Sequence, residues 1–163
     1  MSAGEPAAVE LRPARAGEAE ALRALLAAAK GHWGYAPERV AAWARTVDMA
    51  ATLREQDVWV ATEDGAPVAW AGLVPPRDGV AELDHLWVDP MHMGLGIGSA
   101  LFHQAARRAA ELGAVRMEWE AEPNALGFYH RMGGRELRTA VSEWGRTLSV
   151  MGVELTEGDR VRA

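Results

Sequence analysis

The 163-residue chain contains no cysteine, which excludes disulfides, thiolate metal sites and a cysteine nucleophile together. Lysine is nearly as scarce, since Lys30 stands alone and arginine supplies every other cationic side chain. No run approaches the roughly 18 apolar residues of a membrane span. The opening, Met1 to Leu11, is polar and alanine-rich, without a basic stretch leading into an apolar one. The expectation is therefore no signal peptide, no membrane partner and a cytoplasmic protein. The formal net charge is −6 and the basic residues are dispersed, with no run longer than Arg107-Arg108. A field of that sign opposes a polyanion, so nucleic acid is not an expected partner. The five histidines are scattered, without a ligand-spaced pair such as HExxH, so no metal is expected.

No repeat or low-complexity linker interrupts the chain. Its length suits a single domain with its own core, expected to span residues 1–163 with a core at about 8–155 and a tail from about 157. Residues 9–13 read as a short strand. Ala21, Leu22, Leu25, Leu26 and Ala29 recur at helical spacing over residues 17–30, and Pro37 opens a second helix through about Met49. Residues 57–62 and 68–74 read as strands around Glu63-Asp64-Gly65, a hairpin signal. Pro75-Pro76-Arg77-Asp78-Gly79 reads as a turn before a third strand at 80–88. A helix at about 96–112 stops at Gly113, a strand follows at 115–121, a short helix at 123–132, and two strands at 135–141 and 147–155 close the chain. Antiparallel runs with one strand-helix-strand crossover imply an α+β fold in three layers. Its central sheet is mixed, mostly antiparallel and of about seven strands, with helices on both faces.

What stands out within this order is Leu86-Trp87-Val88-Asp89-Pro90 running into Met93-Gly94-Leu95-Gly96-Ile97-Gly98-Ser99. A strand breaks at proline, passes three alternating glycines and becomes an alanine-rich helix. Glycine lets backbone turn tightly and approach a ligand, and a helix opening there directs unpaired N–H groups at one spot. Taken alone, the segment is a phosphate cradle or a plain tight turn. A dinucleotide fingerprint requires a third Gly or Ala where Leu101 stands, and the Gly-Lys-Ser/Thr of a Walker loop is absent.

On these residues the chain resembles the GCN5-related N-acetyltransferase (GNAT) family, whose central motif is Arg/Gln-x-x-Gly-x-Gly/Ala after an apolar-x-Val strand end. Here it is Met93-Gly94-Leu95-Gly96-Ile97-Gly98 after Leu86-Trp87-Val88. Asn124-Ala125-Leu126-Gly127-Phe128-Tyr129, followed by Met132-Gly133, is similar to the family's second signature. The element order agrees over about residues 8–155. The resemblance implies an acyl-CoA N-acyltransferase-like fold and acetyl-CoA as co-substrate, bound at the splayed ends of two parallel strands. It implies that backbone N–H groups of Met93, Gly94, Leu95, Gly96, Ile97, Gly98 and Ser99 hold the pyrophosphate. Leu86, Trp87 and Val88 would run along the pantetheine, with the Leu86 N–H near the thioester carbonyl, and Asn124 and Phe128 complete the cofactor set. Met93 departs from the Arg/Gln of the motif and removes that side chain's contribution while the backbone cradle survives.

Moving an acetyl group from a thioester to an amine requires a base for the ammonium proton, stabilisation of an oxyanion and an acid for the thiolate. Tyr129 stands where the resemblance places the acid; otherwise it is a packing tyrosine. Strict alternation over residues 80–88 puts Glu82, Asp84, Leu86 and Val88 on one face and Leu83, His85 and Trp87 on the other. Glu82 is the leading candidate base, then Glu120, then Asp84, while His85 is set aside as facing away. Glu118, Glu120 and Glu122 share a face of their strand. These carboxylates form either an anionic pocket attracting a cationic amine or the solvated side of the sheet.

Acceptor contacts are expected from Trp33 and Tyr35, in the loop His32-Trp33-Gly34-Tyr35, together with Glu120; alternatively the two aromatics tuck into the core. Trp59, Trp70, Trp119 and Trp144 are expected in strands as core or interface residues. Arg146, in Glu143-Trp144-Gly145-Arg146, could read a substrate carboxylate or be a plain surface arginine. The expected partner is a small amine or a peptide amino terminus, with a homodimer through the C-terminal strands open because strand edges need cover. The competing function is a non-catalytic acyl-CoA-binding regulatory module.

Overall fold

The structure, a computed structural model, describes residues 8–161, so the expectation of no signal peptide rests largely on positions outside the described residues. Strand β1 (Val9–Pro13) leads through a 3-10 turn into helices α1 (Ala19–Gly31), α2 (Pro37–Thr46) and α3 (Met49–Glu55). A meander of β2 (Asp57–Glu63), β3 (Ala66–Arg77) and β4 (Val80–Val88) precedes α4 (Ile97–Glu111). Then come β5 (Arg116–Ala121), α5 (Leu126–Arg131), β6 (Arg135–Val141), β7 (Thr147–Glu154) and α6 (Glu157–Val161). The seven strands form one sheet in the order β1-β2-β3-β4-β5-β7-β6. Every neighbouring pair is antiparallel except β4–β5, as the crossover through α4 requires.

The anticipated second helix is two helices. Val47 is extended, and the Asp48 carboxylate accepts the Ala51 N–H at 3.0 Å, so a new helix starts with its own cap. The anticipated turn at Pro75-Pro76 is strand, placed at the end of β3 where register with β4 is lost between Val74 and Arg77. The reversal is made by Asp78 and Gly79, both at positive φ (53° and 78°). The anticipated tail includes α6, which packs beside α4.

Two cores sandwich the sheet. On one face, Leu101, Phe102, Ala105 and Ala109 of α4 meet Ala69, Ala71, Leu73 and Leu83. Small residues on both sides bring the helix close to the strands. On the other, Leu22, Leu26 and Met49 meet Val58, Val60 and Trp70, whose indole donates to the Leu22 carbonyl at 2.9 Å. The first core tolerates little addition at Gly134, where a Cβ would lie 2.7 Å from the Trp119 ring and 3.0 Å from the Tyr129 carbonyl. Gly134→Ala is therefore expected to destabilise the fold by about 1–3 kcal/mol through overpacking, read as a lower urea midpoint at unchanged slope.

One irregularity positions the site. From Ala69↔Val88 to Gly72↔His85 the β3–β4 pairing keeps one register, and from Leu73↔Leu83 it has slipped by one residue. Asp84 is the extra residue of a β-bulge. Beyond it, side-chain direction reverses relative to strict alternation. Leu83, Leu86 and Val88 join the α4 core, while Trp87 joins the opposite one. His85, paired with Gly72, and Glu82, paired with Val74, share the Trp87 face. The expectation that His85 faces away from Glu82 is thus corrected.

Candidate active site

Pairing between β4 and β5 is confined to Val80–Glu82 against Arg116–Glu118. Past Glu82 the pairing stops, and among the described residues no strand pairs with the β5-facing edge of β4 from Asp84 to Val88. At the mouth of this opening the glycine loop enters α4. Gly94 and Gly96 have φ of 79° and 83°, a left-handed conformation that side chains disfavour. The first helical bond runs from the Ala100 N–H to the Gly96 carbonyl at 3.1 Å, and among the described residues no backbone acceptor serves the N–H groups of Ile97, Gly98 and Ser99. Gly98 faces Val88 and Phe128, within 3.6 Å of where its Cβ would be. Both sequence motifs therefore meet at the start of α4. Free N–H groups at a helix N-terminus beside an unpaired strand edge fit a diphosphate joined to an extended amide chain.

The turn feeding this loop is clamped by His92, which lies 2.7 Å from Asp89 and 3.2 Å from Glu63. The Asp89 hydrogen bond chiefly, against some desolvation, lifts the His92 imidazole above its ordinary 6.5, with Glu63 adding to the effect. A raised cationic pKa gives stability that is complete below the unfolded value and fades as pH rises through the folded one. The destabilisation by His92→Asn is expected to be larger at about pH 6 than at about pH 9, measured by paired denaturant titrations. Equal losses at both pH values would contradict the clamp.

On the α1–α3 face a cavity of about 600 Å³ opens onto the same cleft. Glu82, Asp84, His85, Trp87, Glu120 and Glu122 contribute from the sheet side, and Lys30, Trp43, Asp48 and Gln56 from the helical layer. A second cavity toward Pro75, Pro76 and Arg138 shares Glu82 and Glu120 with the first. Glu82 has no ion-pair partner among the described residues. Desolvation by its surroundings, then Asp84, Glu120 and Glu118, raise its carboxyl above the ordinary 4.5. Glu118 differs: burial pushes it up, but Arg138 and Arg116, each at 2.7 Å, outweigh that and hold it below the ordinary value. It is neutralised and structural.

The bulge leaves His85 in a chain of hydrogen bonds. The Trp87 indole donates to His85 Nδ1 at 3.0 Å, which places the proton on Nε2, 3.2 Å from Asp84. Gln56 also donates to Asp84, at 2.7 Å. Asp84 is consequently held below its ordinary value, chiefly by the His85 hydrogen bond. Both His85 nitrogens are engaged, so the ring fixes the Trp87 wall.

Tyr129 lies on the opposite side of the sheet, buried against Trp119 and Phe128 with ring centroids 5.0 and 5.1 Å away. Burial raises its phenol above the ordinary 10.0. Tyr129 lines neither cavity, whereas Glu82 lines both, on the other face of the sheet.

Other sequence candidates are sorted by the tertiary structure. Tyr35 is near the cavity, bonded to its lining residue Glu122 at 3.2 Å, but Trp33 lines neither cavity and meets His32 edge-on. Trp87 lines the first cavity and packs against the core of the helical layer. Trp144 belongs to the β6–β7 turn, against Tyr35 at 4.9 Å and Trp43 at 5.9 Å. Arg146 donates to the Tyr35 hydroxyl at 2.7 Å. Sequence reading missed Lys30, Trp43, Gln56 and Asp48 as wall residues. Asp48 carried a detectable cap signal, whereas the other three come together through long-range packing. Among the described residues no group of three or more His, Asp or Glu side chains could hold a metal, and no helix is long and apolar enough to cross a membrane.

A mixed sheet split between its parallel pair, with a glycine cradle at the split, defines an acyl-CoA N-acyltransferase-like fold. The sequence matches the acetyltransferase (GNAT) family over residues 19–134, and the chain belongs to that family. It is 33% identical over 115 residues to an uncharacterized N-acetyltransferase of Methanocaldococcus jannaschii, a match covering 64% of this chain and 50% of the relative. The chain thus spans about half the length of that curated relative. A GCN5-related N-acetyltransferase from Rhodopseudomonas palustris superposes with a TM-score of 0.76 at 25% identity, covering 93% of this chain and 99% of that one. The PaiA N-acetyltransferase of Thermoplasma acidophilum, solved with coenzyme A, gives 0.73 at 17% identity over 90% and 99%.

Proposed function

We propose that the protein transfers an acetyl group from acetyl-CoA to the primary amine of a cationic acceptor by direct attack in a ternary complex. The observation that carries this is the joining of two sites at one cleft: unbonded N–H groups at the start of α4 and an acidic cavity opening beside the unpaired edge of β4. The donor's phosphates suit the helix N-terminus, and its pantetheine suits the main chain of Leu86, Trp87 and Val88. Asn124 and Phe128 close that side. The acceptor enters as an ammonium, drawn by Glu82 and Glu120, with Tyr35 on the flanking wall. Glu82 takes one ammonium proton; the amine nitrogen bonds to the acetyl carbon; the carbon–sulfur bond breaks as the Tyr129 hydroxyl protonates the departing sulfur. The proton that the nitrogen sheds as the amide forms restores that hydroxyl, and Glu82 releases its own proton to solvent. A raised Glu82 pKa suits a base working near neutrality, and a buried phenol stays protonated there.

Among the described residues the cavity has one lining Lys or Arg, Lys30, and that ammonium is already paired with Glu122 at 3.1 Å. This favours amines without a carboxylate over amino acids, and gives no support to Arg146 as a carboxylate reader. Thiol release from acetyl-CoA over a panel of di- and polyamines, arylalkylamines, amino acids and peptide amino termini tests the reading. Amine-dependent release, greatest with non-acidic amines, is expected. Tight coenzyme A binding with no release above hydrolysis for any amine would favour the regulatory-module reading instead.

A further inference from the structure

Three side chains from two separated segments converge on one carboxylate. Glu122, the residue after β5, accepts from Lys30 Nζ at 3.1 Å, from the Tyr35 hydroxyl at 3.2 Å and from the Asn124 amide at 2.9 Å. Tyr35 in turn accepts from Arg146 of the β6–β7 turn at 2.7 Å. The Lys30 ammonium sits 4.5 Å from the Tyr35 ring centre and 5.2 Å from that of Trp144, so cation–π attraction reinforces the ion pair. With side-chain exposures of 13% and 19%, Lys30 and Glu122 are largely out of water, where such contacts are least screened. Among the described residues no backbone hydrogen bond joins the α1–α2 loop, the β5–α5 turn and the β6–β7 turn. Their contacts run through side chains, with Glu122 the acceptor shared by Lys30, Tyr35 and Asn124, and Tyr35 the link to the β6–β7 turn.

The β5–α5 element also reaches the donor side. Asn124 lies on its turn, and Phe128, one helical turn further, faces Gly98 at the start of α4. A short rigid piece therefore touches the phosphate loop at one end and the acceptor-cavity wall at the other. We propose that Glu122 is a positioning residue that couples the two sites: it holds Asn124 in the orientation the coenzyme requires, and is itself held by Lys30 and Tyr35 of the acceptor wall. This rests on the reading of Asn124 as a cofactor contact. Residues on the acceptor wall then influence coenzyme A affinity without touching the coenzyme, by sparing it the ordering of the turn.

A double-mutant cycle on coenzyme A binding, measured by calorimetry on the full chain, tests the coupling. Lys30→Met is expected to weaken binding about threefold to tenfold in the wild-type background and to add little once Asn124→Ala is present. Tyr35→Phe, which changes no charge, should act in the same direction, which separates coupling from direct attraction of the anionic coenzyme by Lys30. The Lys30 effect should also persist at about 0.5 M salt, where exposed charges are screened. Glu122→Ala should abolish the influence of both wall substitutions. Wall variants that bind within twofold of wild type, or whose effects simply multiply with that of Asn124→Ala, would overturn the coupling while leaving the acetyltransferase reading intact. A wild-type protein that binds no coenzyme A would overturn that reading first.

Discussion

Glu82→Gln is expected to lower kcat for amine acetylation about a hundredfold to ten-thousandfold, the usual worth of a positioned general base. Coenzyme A affinity should be nearly unchanged, because Glu82 lines the cavity on the α1–α3 face. Glutamine keeps the size of the side chain and removes its charge, so packing is preserved. The pH profile gives a second readout. Desolvation, with Asp84, Glu120 and Glu118 adding to it, raises the Glu82 carboxyl above 4.5, and a base works only when ionised. Wild-type kcat should therefore fall with decreasing pH through an apparent value above the ordinary carboxylate range. That acidic limb should vanish in the variant. If Glu82→Gln retains both rate and limb, Glu120 becomes the candidate base, since it lines the same two cavities.

Tyr129→Phe is expected to cost a comparable factor, again in kcat, by removing the proton donor to the leaving sulfur. The ring contacts with Trp119 and Phe128 are retained in this variant, so its urea midpoint should stay close to wild type. Burial raises the phenol above 10.0, which keeps it protonated throughout the neutral range and moves any alkaline loss of kcat to higher pH. A leaving group that needs no proton bypasses the requirement. An acyl donor with a more acidic thiol should recover much of the lost rate, and no such recovery would mean that Tyr129 serves packing alone.

The two predictions place their groups on opposite faces of one sheet, which sequence periodicity alone did not convey. The glycine loop, the apolar strand before it and the alanine-rich helix after it were legible because their conformations are local. Positive φ favours glycine, a proline ends a strand, and a helix begins where N–H groups lose their partners. The anticipated parallel pairing of strands 80–88 and 115–121 followed from the crossover connection, and the strands do pair that way at Val80–Glu82.

The direction of the side chains along β4 was misread because alternation assumes one residue per ladder position. The sequence carries a trace of the bulge. The apolar positions Leu83 and Leu86 are three apart, an odd spacing that cannot keep both on one face of a regular strand. With Asp84 bulged, His85 and Glu82 point into the same cavity while Leu86 and Val88 return to the α4 core. The second helix was misjudged for a related reason: apolar spacing continued past Val47, whereas the backbone broke there and Asp48 capped a new helix.

By itself the sequence carried the glycine turn between a strand and a helix, the second motif that meets it, and the family to which the chain belongs. These features depend on backbone conformation and short-range spacing, which a linear chain carries in full. Only the tertiary structure assembled the charged and aromatic cluster beside the cavity on the α1–α3 face. Lys30, Tyr35, Trp43, Glu122 and Trp144 come from four separated segments and meet through side chains alone. Their charge and ring geometry exist only once the sheet, with its one bulged strand, has brought the loops together.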